Sequence, residues 1–149
     1  MPGPSATIHL PYASRILVRT FVNAARPQRF TITPTGSHPI VFTGTGDGDT
    51  PAGATVIYTP ASGPSPLGAS VSIAIDHSVD EGRSWQASQV DSGGCQIVLN
   101  NLIVVASEDA GADSWCAATV YFCWTKVAPD AAHATLIKSM AGPRYHGRA

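Results

Sequence analysis

The chain has 149 residues, nine Lys+Arg against ten Asp+Glu for a formal net charge of −1, and a hydrophobic fraction of 44%. That describes one domain of ordinary size, long enough to bury a core without disulfide or metal staples. The near-neutral charge argues against nucleic acid as a partner, and no run approaches the ~18 apolar residues of a membrane span.

Met1-Pro2-Gly3-Pro4-Ser5 lacks both the cationic and the apolar region of a secretory signal, which predicts a cytoplasmic protein or export by another route. Gly (14) and Pro (12) are abundant and fall between short runs rich in Val, Ile, Thr and aromatics, the punctuation of an all-β domain. In chain order, strands are predicted at Thr7–Leu10, Arg15–Val22, Arg29–Thr33, Ile40–Thr43, Thr55–Tyr58, Ser70–Ile75, Trp85–Ser88, Gln96–Ala106 and Ala118–Thr125. Val71, Ile73 and Ile75 alternate with Ser72 and Ala74, and Val120, Phe122 and Trp124 alternate with Tyr121 and Cys123, so each strand has one core face. Ile97–Val105 is apolar except at Asn100 and Asn101; it reads as a strand covered on both faces, or as two strands joined at that pair. Asp80-Glu81-Gly82 has hairpin-turn chemistry, Pro60–Gly68 reads as an exposed loop, and Thr45-Gly46-Asp47-Gly48-Asp49-Thr50 as a flexible one. Ala131–Met140, followed by Gly142-Pro143, reads as a short helix or a tail. The expectation is an antiparallel β-sandwich of about nine short strands over residues 1–126 and a C-terminal extension over residues 127–149.

No catalytic set assembles. Asp91-Ser92-Gly93-Gly94 and Ala131-Ala132-His133 are similar to the serine and histidine segments of trypsin-like proteases, but in reversed order and in too short a chain; a glycine-rich turn is the better reading. Asp76-His77-Ser78-Val79-Asp80-Glu81 is read as solvated turn charge. The three cysteines, Cys95, Cys116 and Cys123, match no zinc spacing and are read as buried thiols, at least one of them free or paired between chains. The informative segment is Ser107-Glu108-Asp109-Ala110-Gly111-Ala112-Asp113-Ser114-Trp115-Cys116-Ala117-Ala118. Acidic residues gathered between two apolar strands are costly unless a cation or hydrogen-bond donors answer them.

This segment resembles the acidic loop of the small bacterial lectins that bind fucose and mannose through two adjacent calcium ions, S-E-D-G-x-D-x-D-Y-N-D-A before a strand ending in Trp. Ser107, Glu108, Asp109, Ala118 and Trp124 match, with Trp115 in place of the Tyr. Leu10-Pro11, Phe21-Val22-Asn23 and Ala24-Ala25-Arg26 correspond to the family's L-P strand, the F-A-N strand end and the sugar-contacting loop. The resemblance implies a sugar-binding β-sandwich, a homodimer, and contact residues at Asn23, Ala24, Ala25, Arg26, Glu108, Asp109, Asp113 and Trp115.

It also implies a degenerate metal site. Asn23 and Glu108 remain, but Ala112, Ser114 and Ala117 stand where the family has calcium-binding Asp residues, and Cys116 where it has Asn. Asp113 is one place out of register, and the chain continues past Trp124 where the family's ends in a ligating glycine carboxylate. Two cations need more anionic oxygen than that, so no cofactor is expected; calcium would bind only if the degenerate site still holds it. The expected ligand is a monosaccharide or glycan held by hydrogen bonds and an aromatic face. The alternative is a structural or protein-interaction module that kept the sandwich and lost the sugar.

Overall fold

The computed structural model describes residues 2–91, 96–99, 101–109 and 117–126. They form ten strands: β1 Pro2–Gly3, β2 Ser5–Leu10, β3 Ser14–Pro34, β4 Ile40–Tyr58, β5 Ala69–His77, β6 Gln86–Ala87, β7 Gln89–Asp91, β8 Gln96–Leu99, β9 Leu102–Glu108 and β10 Ala118–Lys126. Every pairing is antiparallel, in the order β1-β7-β9-β10-β3-β5-β2, with β4 on β3, β6 on β5 and β8 on β9. The all-β expectation holds. The about nine strands expected become ten, because β1 and β7 are too brief to show a period and 96–106 divides into two, while two expected pairs merge into β3 and β4.

The two long strands set the architecture and correct the sequence reading. Residues 15–22 and 29–33 were expected as separate strands, as were 40–43 and 55–58; each pair is one continuous strand. The first half of β3 pairs with β10, from Ser14↔Lys126 to Val22↔Ala118, and the second half with β5, from Gln28↔His77 to Pro34↔Val71. β4 follows both halves, with register shifts at Thr20/Phe21, Val22/Ala24 and Ala24/Gln28. Extra residues on one strand bend it and increase its twist, so β3 and β4 turn a corner together. Gly46, Gly48 and Asp49 do adopt the positive φ that loop chemistry suggests, but as an irregularity inside β4 rather than as a free loop.

Folded at that corner, the sheet encloses a core. Ile16, Val18 and Val22 from the first half of β3 and Phe30 and Ile32 from the second join one buried cluster with Leu10, Val71, Ile73, Ile75, Val105, Val120 and Phe122. The alternation of β5 and β10 is as predicted: Val71, Ile73 and Ile75 are buried while Ser72 is exposed, and Val120, Phe122 and Trp124 are buried while Tyr121 is exposed. The run 96–106 takes the two-strand alternative, with Asn101 in the turn and its carbonyl accepting from the Trp124 N–H at 3.0 Å. β9 is not buried on both faces. Ile103, Val105 and Ser107 face in, and Leu102, Val104, Ala106 and Glu108 are half-buried.

The stretch from Asp76 to Glu81 also departs from expectation, since only its tip is solvated. Asp76 pairs with Arg29 at 2.7 Å, and Arg29 lies over the Trp85 ring, 4.8 Å from its centre, while His77 and Ser78 are buried. At the tip, Glu81 and Gly82 carry positive φ. Ser84 Oγ donates to Asp80 Oδ2 at 2.6 Å, Ser78 Oγ donates to Oδ1 at 2.7 Å and the Ser84 N–H to Oδ1 at 2.8 Å. These donors, Ser84 Oγ first, lower the Asp80 carboxyl from its ordinary 3.8 to about 2. Because the folded value lies below the unfolded one, the contribution of this turn is complete above the unfolded value and fades as pH falls through the folded one. A carboxyl NMR titration of Asp80 should show a midpoint near 2; a midpoint at or above 3.8 would mean these hydrogen bonds are absent in solution. The predicted helix or tail at 131–140 and the turn at 92–94 lie outside the described residues.

Candidate functional site

Register across three neighbouring strands brings the acidic segment and the 23–26 stretch together. Val22 of β3 pairs with Ala118 of β10, and Ala118 pairs with Ser107 of β9. The Asn23 N–H donates to the Ala117 carbonyl at 2.9 Å, and the Ala117 N–H to the Ser107 carbonyl at 3.0 Å. The corner of β3 therefore lies beside the end of β9, where Glu108 and Asp109 follow. Asn23, Ala25 and Arg26 are exposed, Ala24 and Glu108 half-buried, and Asp109 buried. Asp113 and Trp115 lie outside the described residues. The 23–26 stretch is thus the outer bend of a bulged strand, and Asn23 Oδ1 accepts from the Gly48 N–H at 2.8 Å, tying the bend of β3 to that of β4.

Beneath this surface lies a polar cluster that sequence reasoning did not anticipate. Gln28 Nε2 donates to Asp109 Oδ2 at 3.0 Å and to the Arg26 carbonyl at 3.3 Å. Ser88 Oγ donates to Asp109 Oδ1 at 3.1 Å. With its proton committed there, Ser88 Oγ can only accept from His77 Nδ1, 2.9 Å away, which assigns the proton to that ring nitrogen. All donors run towards one carboxylate. Gln28, His77, Ser88 and Asp109 are each at most 3% exposed. A buried carboxylate is tolerable only when donors replace its water, and this ring of side chains supplies them.

A signal for the cluster was in the sequence. Gln28 precedes Phe30 and Ile32 by steps of two, His77 follows Ile73 and Ile75, Ser88 precedes Val90, and Ser107 and Asp109 follow Ile103 and Val105. Each is a polar residue at the end of an inward-facing apolar stripe, so period-two alternation already assigned it to the interior. Only the convergence of four stripe ends required the fold.

Serine, histidine and aspartate side by side do not make a hydrolytic triad here. A triad sets the serine on one ring nitrogen and the carboxylate on the other, with the serine open to substrate. In this cluster Ser88 sits between His77 Nδ1 and Asp109, Nδ1 is also 3.8 Å from Asp109 Oδ1, and Ser88 is 1% exposed.

With the geometry in place, comparison with known proteins is decisive for the family. The family model described as fucose-binding lectin II (PA-IIL) matches residues 8–126. The chain belongs to the fucose-binding lectin II family. No curated protein matches it by sequence. Among solved structures it is similar to the Chromobacterium violaceum lectin CV2L in complex with alpha-methyl-fucoside, at 24% identity over 80% of this chain and 96% of that one, with a TM-score of 0.58. The Ralstonia solanacearum high-affinity mannose-binding lectin gives the same identity, coverage and TM-score. The C-terminal domain of the BC2L-C lectin from Burkholderia cenocepacia follows at 17% identity over 84% of this chain and 98% of that one, with a TM-score of 0.54. These likenesses establish a shared fold.

The calcium chemistry implied by the family resemblance can be tested on the donors present. Among the described residues no group of three or more His, Cys, Asp or Glu side chains could hold a metal. Asp109 spends both oxygens on Gln28 and Ser88, Asn23 Oδ1 is engaged by Gly48, and Glu108 is left as the carboxylate at this junction. These oxygens do not fit a two-ion site, which needs several free anionic ligands at 2.3–2.6 Å.

Proposed function

We propose that the chain is a non-enzymatic lectin that binds a monosaccharide or glycan of fucose or mannose type, as a homodimer and without calcium. Its ligand end comprises Asn23, Ala24, Ala25, Arg26 and Glu108, with Asp109 buried beneath them as support and Asp113 and Trp115 from the segment that follows. The observation that carries this reading is the in-register junction of Asn23, Ala117 and Ser107, within a family match spanning residues 8–126. That junction joins the bend of β3, which carries the exposed Arg26, to the end of β9, which carries the half-buried Glu108. Arg26 and Glu108 can meet sugar hydroxyls directly, and Asp113 and the face of Trp115 suit the same task. Calcium independence is supported by Ala112, Ser114, Cys116 and Ala117 at the positions of the family's ligands, and by the internal hydrogen bonds of Asn23 and Asp109.

Those same internal hydrogen bonds favour a second reading, a protein-interaction sandwich without sugar recognition, because they remove two polar groups from the recognition surface. A glycan array of the full chain, run with excess calcium and again with EGTA, separates the two. Fucose- or mannose-terminated glycans should be retained, with signals within about twofold of one another, since no ion is being removed from the contact. Light scattering on the same sample should give twice the chain mass. Loss of binding in EGTA would overturn the calcium-free part of the proposal, and silence in both arms would favour the second reading.

A further inference from the structure

The two ends of β3, Ser14 and Pro34, lie at the opposite pole of the molecule from the 23–26 bend, separated from it by roughly 25 Å of extended strand. At that pole Tyr12, Pro34, Ile57, Tyr58, Pro60 and Val71 surround a cavity of about 250 Å³, roofed by residues 60–68. Its walls are fixed. Tyr12 Oη donates to the Ser65 carbonyl at 2.7 Å and so ties the roof to the segment between β2 and β3. Thr59 Oγ1 donates to the Pro11 carbonyl at 2.6 Å and accepts from the Ser14 N–H at 2.9 Å, and the hydroxyls of Thr35 and Ser70 bond each other. Gly68, at φ +123°, packs so closely on the Leu10 carbonyl that no Cβ could fit there.

The lining chemistry limits what can enter. Among the described residues of the lining tyrosine is the only ionisable one, so a charged ligand would lose its hydration with no counter-charge from them to replace it. The flat surfaces are tyrosine, proline and branched aliphatic. The hydroxyls of Ser37 and Ser62 line the same cavity, and no described residue engages them. An apolar cavity of roughly 150 Å³ already accepts benzene, so this one takes a single ring with a substituent, but not a disaccharide. We propose that the cavity is a second binding site, for an uncharged single-ring hydroxylated compound of phenol type. The ring lies among the apolar walls and its hydroxyl meets Ser37 and Ser62. The site is separate from the sugar-binding end, and its occupancy does not depend on that reading.

The test follows the Ile57 and Val71 methyl signals of the full chain by NMR. The probes are p-cresol, toluene, p-toluate and methyl α-glucopyranoside. Saturable shifts are expected with p-cresol, and binding weaker by about tenfold or more with p-toluate, which keeps the para-methyl ring but carries a charge in place of the hydroxyl. Gly63 is exposed and at ordinary φ, and a Cβ there would lie 2.7 Å from Tyr12 Oη, so Gly63→Val pushes the Tyr12 ring into the cavity and should abolish the p-cresol shifts. The double variant Ser37→Ala/Ser62→Ala alters only exposed hydroxyls; it should weaken p-cresol several-fold and leave toluene unchanged. The proposal is overturned if p-cresol gives no saturable shift, or if p-toluate binds as well. It is likewise overturned if the glucoside shifts these methyls in place of p-cresol, or if p-cresol binding survives both variants.

Discussion

Replacing Asp109 with alanine should destabilise the fold by about 3 kcal/mol, read as a lower urea midpoint at unchanged slope. The side chain is 3% exposed and accepts from Gln28 Nε2 and Ser88 Oγ, with His77 behind Ser88. Hydrogen bonds to a charged group contribute roughly 1.5–3 kcal/mol each, and stranded buried donors add a penalty that relaxation and water entry partly relieve. Asp109→Asn is the sharper variant. Its amide oxygen can serve one donor, but its NH2 then faces the other, unless Gln28 turns its own oxygen inward and gives up the Arg26 carbonyl. A loss of about 1–2 kcal/mol is expected for it. Losses below about 0.5 kcal/mol for both variants would show that the donors find water in solution and that the cluster is not a closed unit.

The consequence reaches the surface because the cluster ties Gln28 of β3 to Asp109 beyond β9, two strands that β10 separates in the sheet. Gln28 belongs to the second half of β3, His77 to the end of β5, Ser88 to the link between β6 and β7, and Asp109 to the residue after β9. Their common carboxylate fixes the 23–26 bend relative to the end of β9, where the acidic segment begins. Glycan binding, where present, should therefore weaken in Asp109→Asn even at temperatures where the variant is fully folded.

Which features were legible in the sequence follows from the range of the interactions that decide them. Strand positions with clear alternation, at 70–75 and 118–125, and the turn at 80–82 came from local chemistry and agree with the structure. The merging of 15–22 with 29–33 was not legible, because the intervening residues Asn23, Ala24, Ala25 and Arg26 carry ordinary loop composition. What keeps them in a strand is the parallel bend of β4 alongside them, held in part by the Asn23–Gly48 hydrogen bond. At the proposed ligand end, the proximity of Asn23 to Glu108 came from family resemblance rather than from composition. The inward turn of Asp109 was hidden for another reason. An acidic residue in an acidic run reads as surface unless the phase of Ile103 and Val105 is carried forward across the strand end.

Truncating Phe122 to alanine should cost about 4 kcal/mol, a large share of the roughly 5–15 kcal/mol that holds a domain together. Phe122 is fully buried at the middle of β10, opposite Val18 of β3 and Ile103 of β9, which are themselves buried. Because β10 is paired on both sides, the backbone cannot sink to close the gap, and the cavity term is retained. Its neighbour supplies the control. Tyr121 points outward, 36% exposed, and meets Phe21 edge-on with ring centres 5.4 Å apart, so Tyr121→Ala should cost only about 1 kcal/mol. A slip of one residue in β10 would exchange these two faces. If Tyr121→Ala proved the costlier change, the register that places Ala117 between Asn23 and Ser107 would be wrong, and the junction on which the ligand end is built would fall with it.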